Sequence, residues 1–477
     1  MIRAIASKEF TQYWRDGRVV TVFGIVALLG LAATVTGWSA VSAMERERAA
    51  AVAMDREIWD TQGLKNPHSA AHFSRYAFQP TFNLAVFDPG LTEYVGNAIW
   101  LEAHYRDPAT LRPIEDAVEI QRIAQLNPAW VIQVFAPLLI FVLLYGAVAA
   151  ERESGTLRQL MAAGVRPVSL LLGKAVSAFS LTGLLVCGVL VGSAFLMSAE
   201  GIEALPDTGL RTVGLVALYL VYLAVFVFLA LGVSALSSRS RTALAGLLGI
   251  WIVATVLGPR VGPEVAGALA PAPSATEFAA RLERESSDPF WGSSEEAVER
   301  RQRVMDGLLA EYGVETVAQL PINYDGYLLQ ASEEFGNEVF DAMYDELWGS
   351  YERQRAIARV FALISPTLAA QNVSMALAGT GIHAYRHFAD EAEQFRREFV
   401  LLLNQEMIDH GGAEGYAYVS GNDFWEQNPD FEYAAPGIGA AVRGVWGDVM
   451  ILLLWLALAI AVAAAGVRRG FLGEMAA

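Results

Sequence analysis

Four of the six histidines in this 477-residue chain fall into two pairs at a spacing of four: His68 with His72, and His383 with His387. Two imidazoles one helical turn apart can share a metal ion. Glu102 and His104 follow the first pair within the same segment. Spacing fixes no carboxylate or thiolate beside either pair, so the residues alone predict packed, hydrogen-bonding histidines and no metal centre. If a metal does bind, His68, His72, His383 and His387 are the candidates.

Other chemistry-bearing patterns are absent. Gly173-Lys174 is followed by Ala175, and Val168 stands where a phosphate-binding loop needs its first glycine. There is no H-E-x-x-H and no G-x-S-x-G. The sequence therefore predicts no catalytic residue, no cofactor and no nucleotide site of its own. A net charge of −17 argues against nucleic acid as a partner. The single cysteine, Cys187, lies in an apolar run and forms no intrachain disulfide.

The elements around these residues are mostly apolar. Hydrophobic residues make up 54% of the chain and charged ones 18%, against roughly a quarter in soluble proteins. Apolar runs predict membrane spans over 19–41, 130–150, 168–198, 212–236, 242–258 and 445–467. The first run is about twice as long as a signal-peptide core, which favours an uncleaved anchor. Residues 1–18 form an amphipathic segment with Arg3, Lys8, Arg15 and Arg18 beside Phe10, Tyr13 and Trp14, suited to a membrane interface.

Six spans put the termini, the 151–167 loop, the 237–241 turn and the 468–477 tail on one side. Arg152, Arg158, Arg166, Arg239, Arg241, Arg468 and Arg469 lie there, whereas the short 199–211 loop opposite holds only Arg211. The positive-inside pattern makes that side cytoplasmic. Two long loops, 42–129 and 259–444, then lie outside, with net charges of −4 and −17. The expected fold is mainly α: a polytopic membrane protein with six transmembrane helices and a large, mostly helical extracytoplasmic domain built from the two loops. Val360–Ala378 is apolar but carries Pro366, Gln371 and Asn372, so it is expected as a buried or membrane-skimming element of the external domain and no seventh span. No ionisable residue lies mid-span, which argues against ion-coupled transport.

Between the second and third spans stands Glu151–Lys174, ERESGTLRQLMAAGVRPVSLLLGK. Glu151–Ala163 can be helical, Gly164 can end that helix, and Pro167 can open the next. With the amphipathic start, the external loop and the order of spans, this E-R-E-S-G-T-L-R segment resembles the permease subunits of type-2 ABC exporters, in a bacterial branch with large external loops. Asn66–Phe73, Phe87–Gly90 and Leu101–His104 carry the likeness in the loops. The resemblance implies that Glu151, Arg152, Glu153, Ser154, Gly155, Thr156, Leu157 and Arg158 dock on a separate ATPase subunit. It also implies a second copy of the chain, ATP hydrolysis on the partner, and residence in the bacterial inner membrane. Expected partners are thus an ATPase subunit, a second permease, membrane lipids and an extracytoplasmic protein. The alternative is a membrane-anchored binding or scaffold protein for envelope assembly or metal delivery, with no conduit.

Overall fold

Asp16 ends one helix and begins another. Its extended backbone breaks α1 (Ile2–Arg15), and its carboxylate accepts the Arg18 amide to cap α2 (Gly17–Asp60). In the computed structural model of the protein, residues 1–73, 75–110, 112, 126–197, 201–286 and 290–476 are described, without the side chains of Met197 and 470–476. The predicted end of the third span at Ser198 and the start of the loop after it fall outside that set.

Among the described residues, six helices are long and apolar enough to cross a membrane: Gly17–Asp60, Pro128–Glu153, Pro167–Leu196, Thr208–Leu236, Ser240–Leu269 and Trp446–Arg469. They contain α4 (Pro128–Leu144), α7 (Pro167–Met197), α8 (Thr208–Leu236), α9 (Ser240–Trp251), α10 (Gly258–Leu269) and α18 (Trp446–Ala476). α8 is the central post. It packs on α18 through Gly232 and Gly466, where a Cβ would meet Val462 and Ala235 at 2.7 and 2.8 Å. Small residues there let two backbones close up where lipid supplies no hydrophobic drive between helices.

Pro137 and Pro259, two of the prolines inside spans, each leave a carbonyl that a side chain takes up. Pro137 has no N–H for the Gln133 carbonyl, which accepts Tyr222 Oη at 2.6 Å instead. The fifth span is expected to end at Gly258, yet it continues to Leu269 through a π-helical stretch, Ile252–Leu257. In i→i+5 register the Ala254 carbonyl would await the N–H that Pro259 lacks, and Ser365 Oγ donates to it. That substitution of donor lets the helix pass a proline that reads as its end.

Ser365 belongs to the segment that resembled a seventh span. α13 (Tyr324–Phe361) runs into the bundle, turns at 362–365, and α14 (Pro366–Ala378) runs back. Thirteen residues rise only about 20 Å, too short to cross a hydrocarbon core of about 30 Å. The turn is held at the level of mid-span residues: Trp455 Nε1 donates to Ala362 O, and Thr367 and Ser374 hydroxyls meet Tyr222 and Tyr219 of α8 at 2.9 and 3.0 Å. The buried element expected from the sequence is thus a re-entrant helical hairpin. Arg211 closes its far end by donating to the Ala376, Leu377 and Pro436 carbonyls.

The two long loops form a helical domain on one face of the bundle. The upper part of α2, α3 (Pro67–Ala71) and the hairpin of β1 (Tyr76–Phe78) with β2 (Ala98–Trp100) come from the first loop. α11 (Ala275–Ser286), α12 (Glu295–Tyr312), α13, α15 (Ile382–His410), α16 (Asn422–Trp425) and α17 (Ile438–Gly444) come from the second. Trp59 and Trp425 pack edge to face at 5.5 Å, and Arg75 bridges Asp55 and Asp430 at 2.9 and 2.6 Å, so the loops share one core.

Candidate functional site

On the opposite face of the bundle, beside α1, the segment after the second span is exposed. It is two short helices, where one was expected: α5 (Ala149–Glu153) and α6 (Thr156–Ala162). Gly155 separates them with φ +77, a left-handed conformation that costs a glycine little. Gly164, at φ +79, ends α6 and Pro167 opens α7, as the sequence predicts.

Each end of the segment is tied to a span. Ser234 of α8 accepts the Val148 and Ala149 amides at 3.0 and 3.2 Å and donates to Tyr145 O, bridging the break between α4 and α5. The Arg152 guanidinium donates to the Ala235 and Ser237 carbonyls, which are left open at the C-terminus of α8. Lys174, buried two turns into α7, puts Nζ 2.8 Å from Glu151 Oε1 and 2.9 Å from Glu9 Oε1. Burial raises the Glu9 carboxyl, but Lys174 and Lys8 outweigh it and hold it below its usual value. α1 is seated on α7 at Gly173, where a Cβ would strike Ile5 at 2.6 Å.

The eight residues predicted to meet an ATPase therefore divide by direction. Leu157 is fully buried, and Glu151 and Arg152 are half-buried in the clamps just described. Glu153, Ser154, Gly155, Thr156 and Arg158 are exposed, with Glu153 accepting Ser240 Oγ at 2.5 Å. What the sequence treats as a single motif is an outward face on an inward foundation. Lys174 and Glu9, which complete that foundation, carry no signal in the motif. Their only mark in the sequence is an ionisable residue midway along the amphipathic helix and another two turns into the third span.

The histidines also sort differently from their spacing. His383 and His387 line a cavity of about 410 Å3 with Arg211, Arg355, Arg359 and Tyr433. His383 Nε2 faces the Arg355 guanidinium at 2.6 Å, and the His387 ring packs against Tyr433. His68 and His72 stay together on α3, which Asn66 caps through the Ser69 amide and Pro67 opens. The third member is His104, from the loop after β2. The three ring centroids lie 4.8, 5.0 and 5.2 Å apart, and one ring nitrogen of each falls within 4.8 Å of the others. Burial, then the two neighbouring rings, push His68 down to about 4, so it is neutral at pH 7.

Architecture and site together describe a multi-pass helical membrane protein with an exposed, span-anchored segment after its second crossing. Residues 120–271, from the second span through the fifth, match the family described as ABC-2 family transporter protein. Residues 275–434, the bulk of the second loop, match a domain of unknown function, DUF3526. Residues 120–271 thus carry an ABC-2 transporter membrane domain, consistent with a permease of the ABC-2 type. Proteins of this type are membrane subunits that work with an ATPase subunit. No curated protein matches the chain.

Proposed function

We propose that this chain is the membrane half of an ATP-driven exporter or force transmitter whose ATPase, a separate chain, docks on Glu153–Arg158. The observation that supports this reading most is the Lys174 clamp. A buried ammonium shared between the segment's first carboxylate and an interfacial helix ties the segment to both, so displacement of the segment would reach the spans. ATPase closure would press on α5 and α6, and Arg152, Ser234 and Lys174 would pass the motion to α8, α7 and α1.

In this reading the α1 face is cytoplasmic, both termini lie on the cytoplasmic side of the inner membrane, and the loop domain works outside, on cargo or on an extracytoplasmic protein. A second permease completes the pathway. The test is co-purification of the full chain with a candidate ATPase subunit co-expressed with it. Replacing Glu151–Arg158 by a Gly/Ser linker should release the ATPase while the permease still inserts. Retention of the ATPase by the linker variant would reject the docking assignment and favour a scaffold protein.

A further inference from the structure

The three clustered histidines are built as a metal site. His104 Nδ1 lies 2.5 Å from Glu333 Oε1, and its amide donates to the other oxygen of the same carboxylate at 3.1 Å. A carboxylate that close requires the proton on Nδ1. His68 Nδ1 lies 3.1 Å from Asn404 Oδ1, and the Asn404 amide nitrogen is committed to Gln330 Oε1 at 3.1 Å. That places the His68 proton on Nδ1 as well. The two Nε2 atoms then face each other at 3.0 Å. Two lone pairs at that separation repel unless a shared proton or a metal cation stands between them. His72 brings the third ring, with Nδ1 3.7 Å from Glu102 Oε1.

His104 takes up its place at φ +62, left-handed for a residue with a side chain. Such a conformation costs on the order of 1 kcal/mol and persists where surrounding structure requires it. Here it points one ring nitrogen at Glu333 and the other at His68. Protons held by carboxylate and amide acceptors, with the opposite nitrogens converging, are how proteins orient histidine ligands. The acceptors come from α13 and α15 in the second loop, and all three rings from the first.

We propose that His68, His72 and His104 bind one first-row divalent transition metal, with Zn2+ the preferred ion. Three neutral imidazoles suit Zn2+ and its neighbours, whereas Ca2+ and Mg2+ require oxygen ligands. Tetrahedral nitrogens about 2.0–2.1 Å from zinc lie about 3.4 Å apart, so rotation of the exposed His72 ring closes the set. The side chains of His72 and His104 are 39% and 34% exposed, which leaves the fourth position open to water or an incoming ligand.

The test uses the full chain in detergent or nanodiscs, without ATPase, so its outcome is independent of the docking assignment. After chelator treatment the protein is titrated with Zn2+ by calorimetry and with Co2+ by visible absorption, in excess Mg2+. One Zn2+ per chain and tetrahedral Co2+ bands are expected. His72→Ala and His104→Ala, checked for intact helical melts, should lose both signals. Glu333→Gln should weaken binding about 10–100-fold. His383→Ala and His387→Ala should change nothing. Absence of Zn2+ binding by the unaltered chain would mean that the two Nε2 atoms share a proton, and would overturn the proposal. So would full binding by both His72→Ala and His104→Ala.

Discussion

Lys174 Nζ and Glu151 Oε1 meet 2.8 Å apart where the third span and the exposed segment join, and Glu9 of α1 completes the cluster on the same ammonium. One cation therefore holds three separate pieces of chain. Lys174→Met leaves the buried Glu9 and the half-buried Glu151 carboxylates without their shared cation, and removing one partner of a buried ion pair costs about 3–5 kcal/mol. A lower thermal midpoint and loss of the ATPase are both expected. Lys174→Met combined with Glu9→Gln and Glu151→Gln should recover stability without coupling. Recovery of neither, or of both, would contradict the clamp.

Glu153 and Arg158 point outward, so reversing both should leave the fold intact. Exposed substitutions usually shift stability by less than about 0.5 kcal/mol. The expected result of Glu153→Arg with Arg158→Glu is an unchanged melting curve and a complex that no longer assembles or couples. Coupled ATPase activity at the original level would show that the outward face is not the docking surface.

Ser365 supplies the hydrogen that Pro259 cannot give to the Ala254 carbonyl. Ser365→Ala leaves that carbonyl unpaired inside the bundle, at a cost of about 1–3 kcal/mol. Ser365→Thr, which keeps the hydroxyl, should lose less. Thermal unfolding followed by Trp fluorescence distinguishes the two, and equal midpoints would remove the hydroxyl from the account.

Asp88 is buried in the turn after the first loop's short helical stretch, and desolvation pushes its carboxyl up to about 6 against hydrogen bonds from Ser374 and the Gly90 amide. Tyr219 is the other titratable group facing it. Between the unfolded value of 3.8 and about 6, the folded chain keeps a proton that the unfolded chain has lost. The sign follows from linkage: stability is full below about pH 4 and declines as pH rises to about 6, then levels. Asp88→Asn should flatten that part of the profile in a pH series of melting midpoints.

The spans were legible because about twenty consecutive apolar residues have few other uses. Gly164 and Pro167 were legible because their backbone preferences act locally. Gly155 was misread as helical, since a glycine inside a helical pattern does not announce a positive φ. The continuation past Pro259 was hidden because its remedy, Ser365, lies over a hundred residues away. The histidines show the limit most plainly. Spacing four ranked His68 with His72 and His383 with His387 as equals, but a partner arriving from a loop, His104, has no period to read. α14 was placed correctly as buried, because Gln371, Asn372 and Pro366 exclude a lipid-facing span; its depth followed only from Tyr219 and Tyr222.

The unbroken length of α2 has a mechanical consequence. Its 44 residues extend about 66 Å, of which the hydrocarbon core takes about 30 Å. The remainder is a stiff arm of about 35 Å with no proline, ending at Trp59 against Phe399 and Trp425. A tilt of about 5° within the membrane carries the end of such an arm by about 3 Å. A tilt of the first span would therefore be felt along the whole seam that α2 makes with the loop domain, from Gly37 against Val86 to Trp59 against Trp425.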